Sequence, residues 1–149
     1  VNATLSTITG VPTTQTAVAT LFGNVKQSLP TTENFQGFVG SHQTAIAQLS
    51  IQYCAVLVDD AALRTQFFGA GLNVGAPLDG TARTLIADRL IERMLNNGAT
   101  PLATQPDPAT VRTELNALMD RLQTRGASTP TIVKAACAAV AGSAGMLVH

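Results

Sequence analysis

The chain has 149 residues, of which 46% are hydrophobic, only 4% are aromatic and 12% are charged, with a formal net charge of zero. A chain of this length can bury about two-thirds of its unfolded surface in one core, so we predict a single α-helical domain over residues 1–149. Charged residues are about half as frequent as usual and leave no basic face for phosphates, which argues against a nucleic-acid partner.

Three helices are predicted in the first part of the chain. The stretch "NATLSTITG" predicts a short helix that ends at Gly10, and residues 14–29 have apolar positions at three- and four-residue steps. A central helix is predicted over about 33–58, because its second half is apolar on nearly every side. Its apolar stripe consists of Phe35, Phe38 or Val39, His42, Ile46, Leu49, Tyr53, and Val56 or Leu57.

The next segments carry clear end signals. Asp59 or Asp60 is predicted to cap a short helix that Gly69 ends. A turn-rich loop follows, and residues 81–97 form an amphipathic pattern with Gly98 after it.

Two further helices complete the predicted fold. "DPATVRTELNALMDRLQTRG" has a capping Asp107, Pro108 at the first helical position and Gly126 after the end. The last helix, predicted over about 130–148, begins at a cap of Ser128 or Thr129 and is rich in small residues. Because no strand pattern appears, we predict an all-α bundle of five to six helices.

The small residues of the last helix suggest close packing. Ala138, Gly142 and Gly145 would let another backbone approach, so we predict that this helix takes part in assembly. A membrane span is the alternative interpretation. The uncharged run after Lys134 is only about 14 residues long and a bilayer needs about 20, so no span is predicted.

Cys54 and Cys137 both fall in apolar helices. Two cysteines in a chain with few charges favour a disulfide and export, and the bond would stabilise the fold by about 4 kcal/mol. Two buried free thiols are the alternative. The chain begins at Val1 without a leader pattern, so we interpret it as mature, processed or a fragment. The predicted location is secreted, either extracellular or periplasmic.

The two histidines are the candidates for a metal or haem site. His42 precedes Cys54 by twelve residues and His149 follows Cys137 by twelve, so antiparallel helices would place both imidazoles about 18 Å from the cysteines, at the same level. We favour the other interpretation, in which His42 is a polar residue near a helix start. We therefore predict no cofactor. Haem ligation would need a methionine as well: Met94, Met119 or Met146.

No catalytic constellation is present. Asp59 and Asp60 are adjacent and cannot converge on one substrate, and the glycine-rich loop after residue 69 has neither a preceding strand nor a following Lys. We therefore predict that the protein is not an enzyme. Asn2-Ala3-Thr4 matches the N-glycosylation pattern, which leaves glycosylation of Asn2 open.

Four stretches carry a family resemblance: "GFVGSHQTAIAQLSIQYCAVLVDDAALRTQFF", "LIADRLIERML", "PDPATVRTELNALMDRL" and "IVKAACAAVAGSAGMLV". Together they resemble the C-terminal helical region of large secreted bacterial proteins with a LamG, concanavalin-like lectin domain. The resemblance implies export and a modular extracellular role, but it supplies no catalytic residues. The lectin portion is missing from this chain, so any carbohydrate binding would belong to a separate domain.

These observations together predict a function. The chain is expected to be a non-enzymatic structural, assembly or interaction module of a secreted bacterial surface protein, with protein partners or self-association. The alternative is a helical bundle that binds haem or a small apolar ligand through His42.

Overall fold

A computed structural model describes residues 1–29, 40–95 and 107–143, and every regular element in these three ranges is helical. The all-α prediction is therefore confirmed. The described ranges hold seven α-helices, as many as the helical segments marked in the sequence but more than the five to six predicted for the bundle, because the two eight-residue segments α1 and α4 both form helices. The helices are α1 (Asn2–Thr9), α2 (Thr16–Val25), α3 (Gly40–Asp59), α4 (Ala61–Phe68), α5 (Gly80–Leu90), α6 (Pro108–Thr124) and α7 (Thr129–Ala141).

Helix α3 lies at the centre of the bundle, as the sequence predicts. It packs most extensively against α7 and also contacts α1, α2 and α4. The part of the predicted stripe that lies within α3 is buried apart from His42 and Val56, which are partly exposed. Residues 33–39, with Phe35, Phe38 and Val39, lie outside the described residues. The buried positions of α3 are Ala45, Ile46, Leu49, Ser50, Tyr53, Cys54, Leu57 and Val58.

Most helix ends follow the predicted signals. Asp107 accepts a hydrogen bond from the Thr110 N–H, with Pro108 at the start of α6. Gly10 and Gly126 end α1 and α6 with φ of 76° and 82°, a conformation that glycine adopts without steric cost. These residues determine where the chain turns between packed helices.

Three boundaries differ from the prediction. Helix α7 ends at Ala141 instead of about 148, because the Ser143 N–H donates to the Val140 carbonyl three residues back rather than to one four residues back, and the chain bends there. Helix α5 begins at Gly80 under an Asp79 cap and passes into a π-helical turn, Ile91–Leu95, so it is not one regular helix. The predicted ends at 97 and 98, and residues 144–149, lie outside the described residues.

The lengths of the helices bear on bilayer spanning. Among the described helices, none is by itself long and apolar enough to cross a membrane. Helices α3 and α4 are long and apolar enough only when taken together, and they are bent by 99° where they meet.

Candidate functional site

A disulfide joins the two central helices. Cys54 of α3 and Cys137 of α7 are bonded, with their Cα atoms 5.8 Å apart and a sequence separation of 83, so this prediction is confirmed. Both cysteines are completely buried. The neighbouring Ala136 and Ala141 are also fully buried, which shows that small side chains of α7 serve close packing within the chain.

Two of the three residues predicted for assembly lie in the described part of the chain. Ala138 is partly buried and packs against the hydrophobic core of its own chain. Gly142 is partly buried beside Ser50, whose Oγ would lie 3.8 Å from a Cβ atom added at Gly142. Gly145 lies outside the described residues. Self-association through this helix therefore stays a prediction.

The adjacent aspartates have separate structural roles. Asp60 caps α4, because its carboxylate accepts hydrogen bonds from the Ala62 and Leu63 N–H groups. Asp59 does not cap a helix; its carboxylate lies 2.7 Å from Lys134 Nζ and forms an ion pair between α3 and α7. The sequence did not distinguish these roles, since both positions precede the same helix.

His42 lies in the first turn of α3 and is partly buried, whereas His149 lies outside the described residues. Within residues 1–29, 40–95 and 107–143, no group of three or more His, Cys, Asp or Glu side chains could hold a metal ion. Met94 and Met119 are buried in the core, and Met146 is outside the described residues. Haem binding through His42 stays an untested alternative, and a visible absorption spectrum would reveal its Soret band.

A groove with an open side lies between α6 and α7. Its volume is about 340 Å³. Its floor is apolar and comes from both helices and from the π-helical turn before α6. The lining residues are Leu95, Thr110, Val111, Glu114, Leu115, Leu118, Arg121, Ala139, Val140 and Ser143.

Charged side chains flank this apolar floor. Glu114 and Arg121 are exposed, and neither forms an ion pair with any other described residue. Seven residues separate them on α6, so they lie about 10 Å apart along the same side of the helix. The groove thus combines an apolar floor with one charge of each sign that has no ionic partner in the described part of the chain.

A second depression, of about 330 Å³, lies between the loop before α5 and the start of α7. Its polar groups bond to one another: the Thr129 hydroxyl donates to the Ala76 carbonyl at 2.7 Å, and the Gln123 amide donates to the Leu78 carbonyl at 3.0 Å. The Arg83 guanidinium in turn bonds to Gln123 and Asp120. These bonds use the polar groups of the depression to hold the loop on the bundle, so the depression has a structural role. We therefore take the α6–α7 groove as the candidate site.

The groove was not predicted from the sequence. The apolar pattern of α6 comprises Val111, Leu115, Leu118, Met119 and Leu122. In the structure Met119 is fully buried, whereas Val111 and Leu118 remain partly exposed. The apolar stripe of α6 does contain an indication of it, because the stripe is wide. Adjacent apolar residues such as Leu118 and Met119 cannot both face the same neighbouring helix.

No family model, curated protein or solved structure matches this chain. The resemblance to the helical region of LamG-containing proteins therefore rests on sequence patterns alone.

Proposed function

We propose that this chain is a non-enzymatic helical module of a secreted bacterial surface protein, which makes protein–protein contacts in an oxidising compartment. The observation that carries the proposal is the buried Cys54–Cys137 bond between α3 and α7. Structural disulfides persist in extracellular and periplasmic proteins and are rare in the cytosol. The resemblance to the helical region of secreted LamG-containing proteins supports the same location.

The distribution of charged groups supports a non-catalytic role. The described carboxylates that have partners cap helices or pair with basic side chains, as in Asp60, Asp59–Lys134 and Asp88–Arg112. Catalytic acids and bases instead converge in a cleft, within reach of the reacting atoms. Burial does raise the pKa of the Tyr53 hydroxyl, but this group bonds to Asn2 of the N-terminal helix and does not line the groove.

The proposal has two parts, which need separate measurements. Thiol alkylation of the unfolded, unreduced protein from its native source reports the compartment: we expect no alkylated cysteine, and two would contradict export. Analytical ultracentrifugation of the oxidised chain over a wide concentration range reports self-association. A chain that stays monomeric at every concentration would rule out self-assembly and leave a different protein as the partner.

A further inference from the structure

We propose that the α6–α7 groove binds one amphipathic α-helix of a protein partner, which carries an acidic and a basic side chain on the flanks of its apolar face. The inference rests on the proposed interaction function and adds the site and the class of partner. Its basis is the shape of the groove, its apolar floor and the two charges at its edge.

The shape of the groove suits a helix. Its α6 wall runs from Thr110 to Arg121, which corresponds to about 16 Å, or three helical turns. Thr110, Glu114, Arg121 and Ala139 are exposed, so the described residues leave the groove open along its length. Small-molecule sites, in contrast, enclose most of the ligand surface. An elongated and open groove between two helices is the geometry in which a third helix packs.

The floor provides the apolar contacts. Val111, Leu115 and Leu118 follow one another at four- and three-residue steps on α6, and Val140 of α7 also lines the groove. Val111 and Leu118 are partly exposed and offer most of the accessible apolar surface, whereas Leu115 and Val140 are buried. This spacing matches a partner helix with apolar residues at i, i+4 and i+7. Ala139 is small and exposed at the α7 edge, so a partner helix can approach the α7 backbone closely.

The charges define the partner further. Glu114 and Arg121 lie about two turns apart on the edge of the groove and have no ionic partner among the described residues. A helix in the groove would place its flanking side chains beside both. Complementary pairs favour a partner with one basic and one acidic flanking residue, in either chain direction, over a partner with two charges of one sign.

The test uses three labelled helical peptides of about 15 residues, each long enough for four turns. All share leucines at i, i+4, i+7 and i+11, and their two flanking positions carry Lys and Glu, two Glu, or two Lys. Fluorescence anisotropy with the oxidised chain measures their affinities. We expect the mixed peptide to bind roughly two- to fivefold more tightly than the other two, as for exposed ion pairs.

Three variants locate the binding. Ala139→Gln fills the groove with a neutral side chain and is expected to weaken binding of the mixed peptide about tenfold. Ala47→Gln is the matched control, since Ala47 is an exposed residue of helix α3 outside the groove, and binding should not change. Glu114→Arg makes both edge charges positive, so the peptide with two Glu should then bind best.

The outcomes separate this inference from the proposed function. Absence of saturable binding, equal binding of the three peptides by the natural chain, or equal effects of Ala139→Gln and Ala47→Gln would each overturn the groove assignment. So would self-association that Ala139→Gln abolishes, because the occupant would then be a second copy. Stronger peptide binding after removal of residues 144–149 would show that the chain itself competes for the groove, and would also overturn it. None of these results changes the thiol state, which tests the proposed compartment.

Discussion

Tyr53 is the only tyrosine of the chain and connects its centre to its N-terminus. The residue is fully buried, and its hydroxyl donates to Asn2 Oδ1 at 2.6 Å, so α3 is bonded to the start of α1. Burial raises the pKa of the Tyr53 hydroxyl, since the phenolate would lose its hydration. The neutral form is therefore part of the folded state.

The first prediction concerns alkaline pH. Because the pKa of Tyr53 is raised on folding, its contribution to stability is complete below the unfolded value of about 10 and is lost as the pH rises through the folded value. Urea unfolding should show a loss of stability above about pH 10 that Tyr53→Phe lacks. The variant should be about 0.5 to 1.5 kcal/mol less stable at neutral pH, since it lacks the hydrogen bond to Asn2. Tyrosinate absorbance with a midpoint at or below the unfolded value would contradict this assignment.

Ser50 provides a second prediction at the same scale. Its hydroxyl is fully buried and has no hydrogen-bond partner in the described part of the chain. Ser50→Ala should therefore leave the free energy of unfolding unchanged or raise it by up to about 1 kcal/mol. Ser6→Ala is the control, because the Ser6 hydroxyl donates to the Val11 carbonyl at 2.7 Å and its loss should cost about 1 kcal/mol. A comparable loss in Ser50→Ala would show that its hydroxyl is bonded.

At the start of helix α4, two neighbouring aspartates have different roles. Asp60→Ala removes the cap and should lower the free energy of unfolding by about 1 kcal/mol, whereas Asp60→Asn keeps a capping side chain and should cost little. Asp59→Ala breaks an exposed ion pair with Lys134 and should cost only a few tenths of a kcal/mol. Chemical denaturation of the three variants checks this order, and a larger loss for Asp59→Ala would reverse the assignment.

Helix identity and most helix ends could be predicted from the sequence, because they depend on local chemistry. Asp107, Pro108 and Gly126 mark α6 at positions where the side chain or the backbone freedom acts on its immediate neighbours. The end of α7 was placed too late. Gly142 directly follows Ala141, but glycine recurs at Gly145 in the same small-residue run and no Pro follows, so the sequence does not single out Gly142 as the end.

The candidate groove could not be predicted in this way, because it depends on how whole helices pack. The pattern of α6 indicates which residues are apolar but not which of them a neighbouring helix covers. Met119 is covered completely, while Leu118, the residue before it, stays partly open to solvent. The Asp59–Lys134 pair was missed for the same reason, since it joins residues 75 positions apart (134 − 59) on two helices.

For the whole molecule, the disulfide determines how firmly the bundle is held. A sequence separation of 83 gives about 4 to 5 kcal/mol in the chain-entropy model. Replacing both cysteines with Ala should therefore lower the free energy of unfolding by about 2 to 5 kcal/mol, the range for loss of a native bridge. Denaturation of the variant and of the oxidised protein under the same conditions measures the difference. A loss below about 1 kcal/mol would show that the bond contributes little.

The two central helices are covalently joined by the Cys54–Cys137 bond, and we propose on that basis that this chain is a secreted module. The most direct test is intact mass spectrometry of the protein from its native source, unfolded without reductant in the presence of a thiol-alkylating reagent. We predict a mass lower than that of the reduced chain by two hydrogen atoms, with no alkyl group on Cys54 or Cys137 until a reductant is added. Two alkyl groups per chain before reduction would contradict both the disulfide and the proposed location.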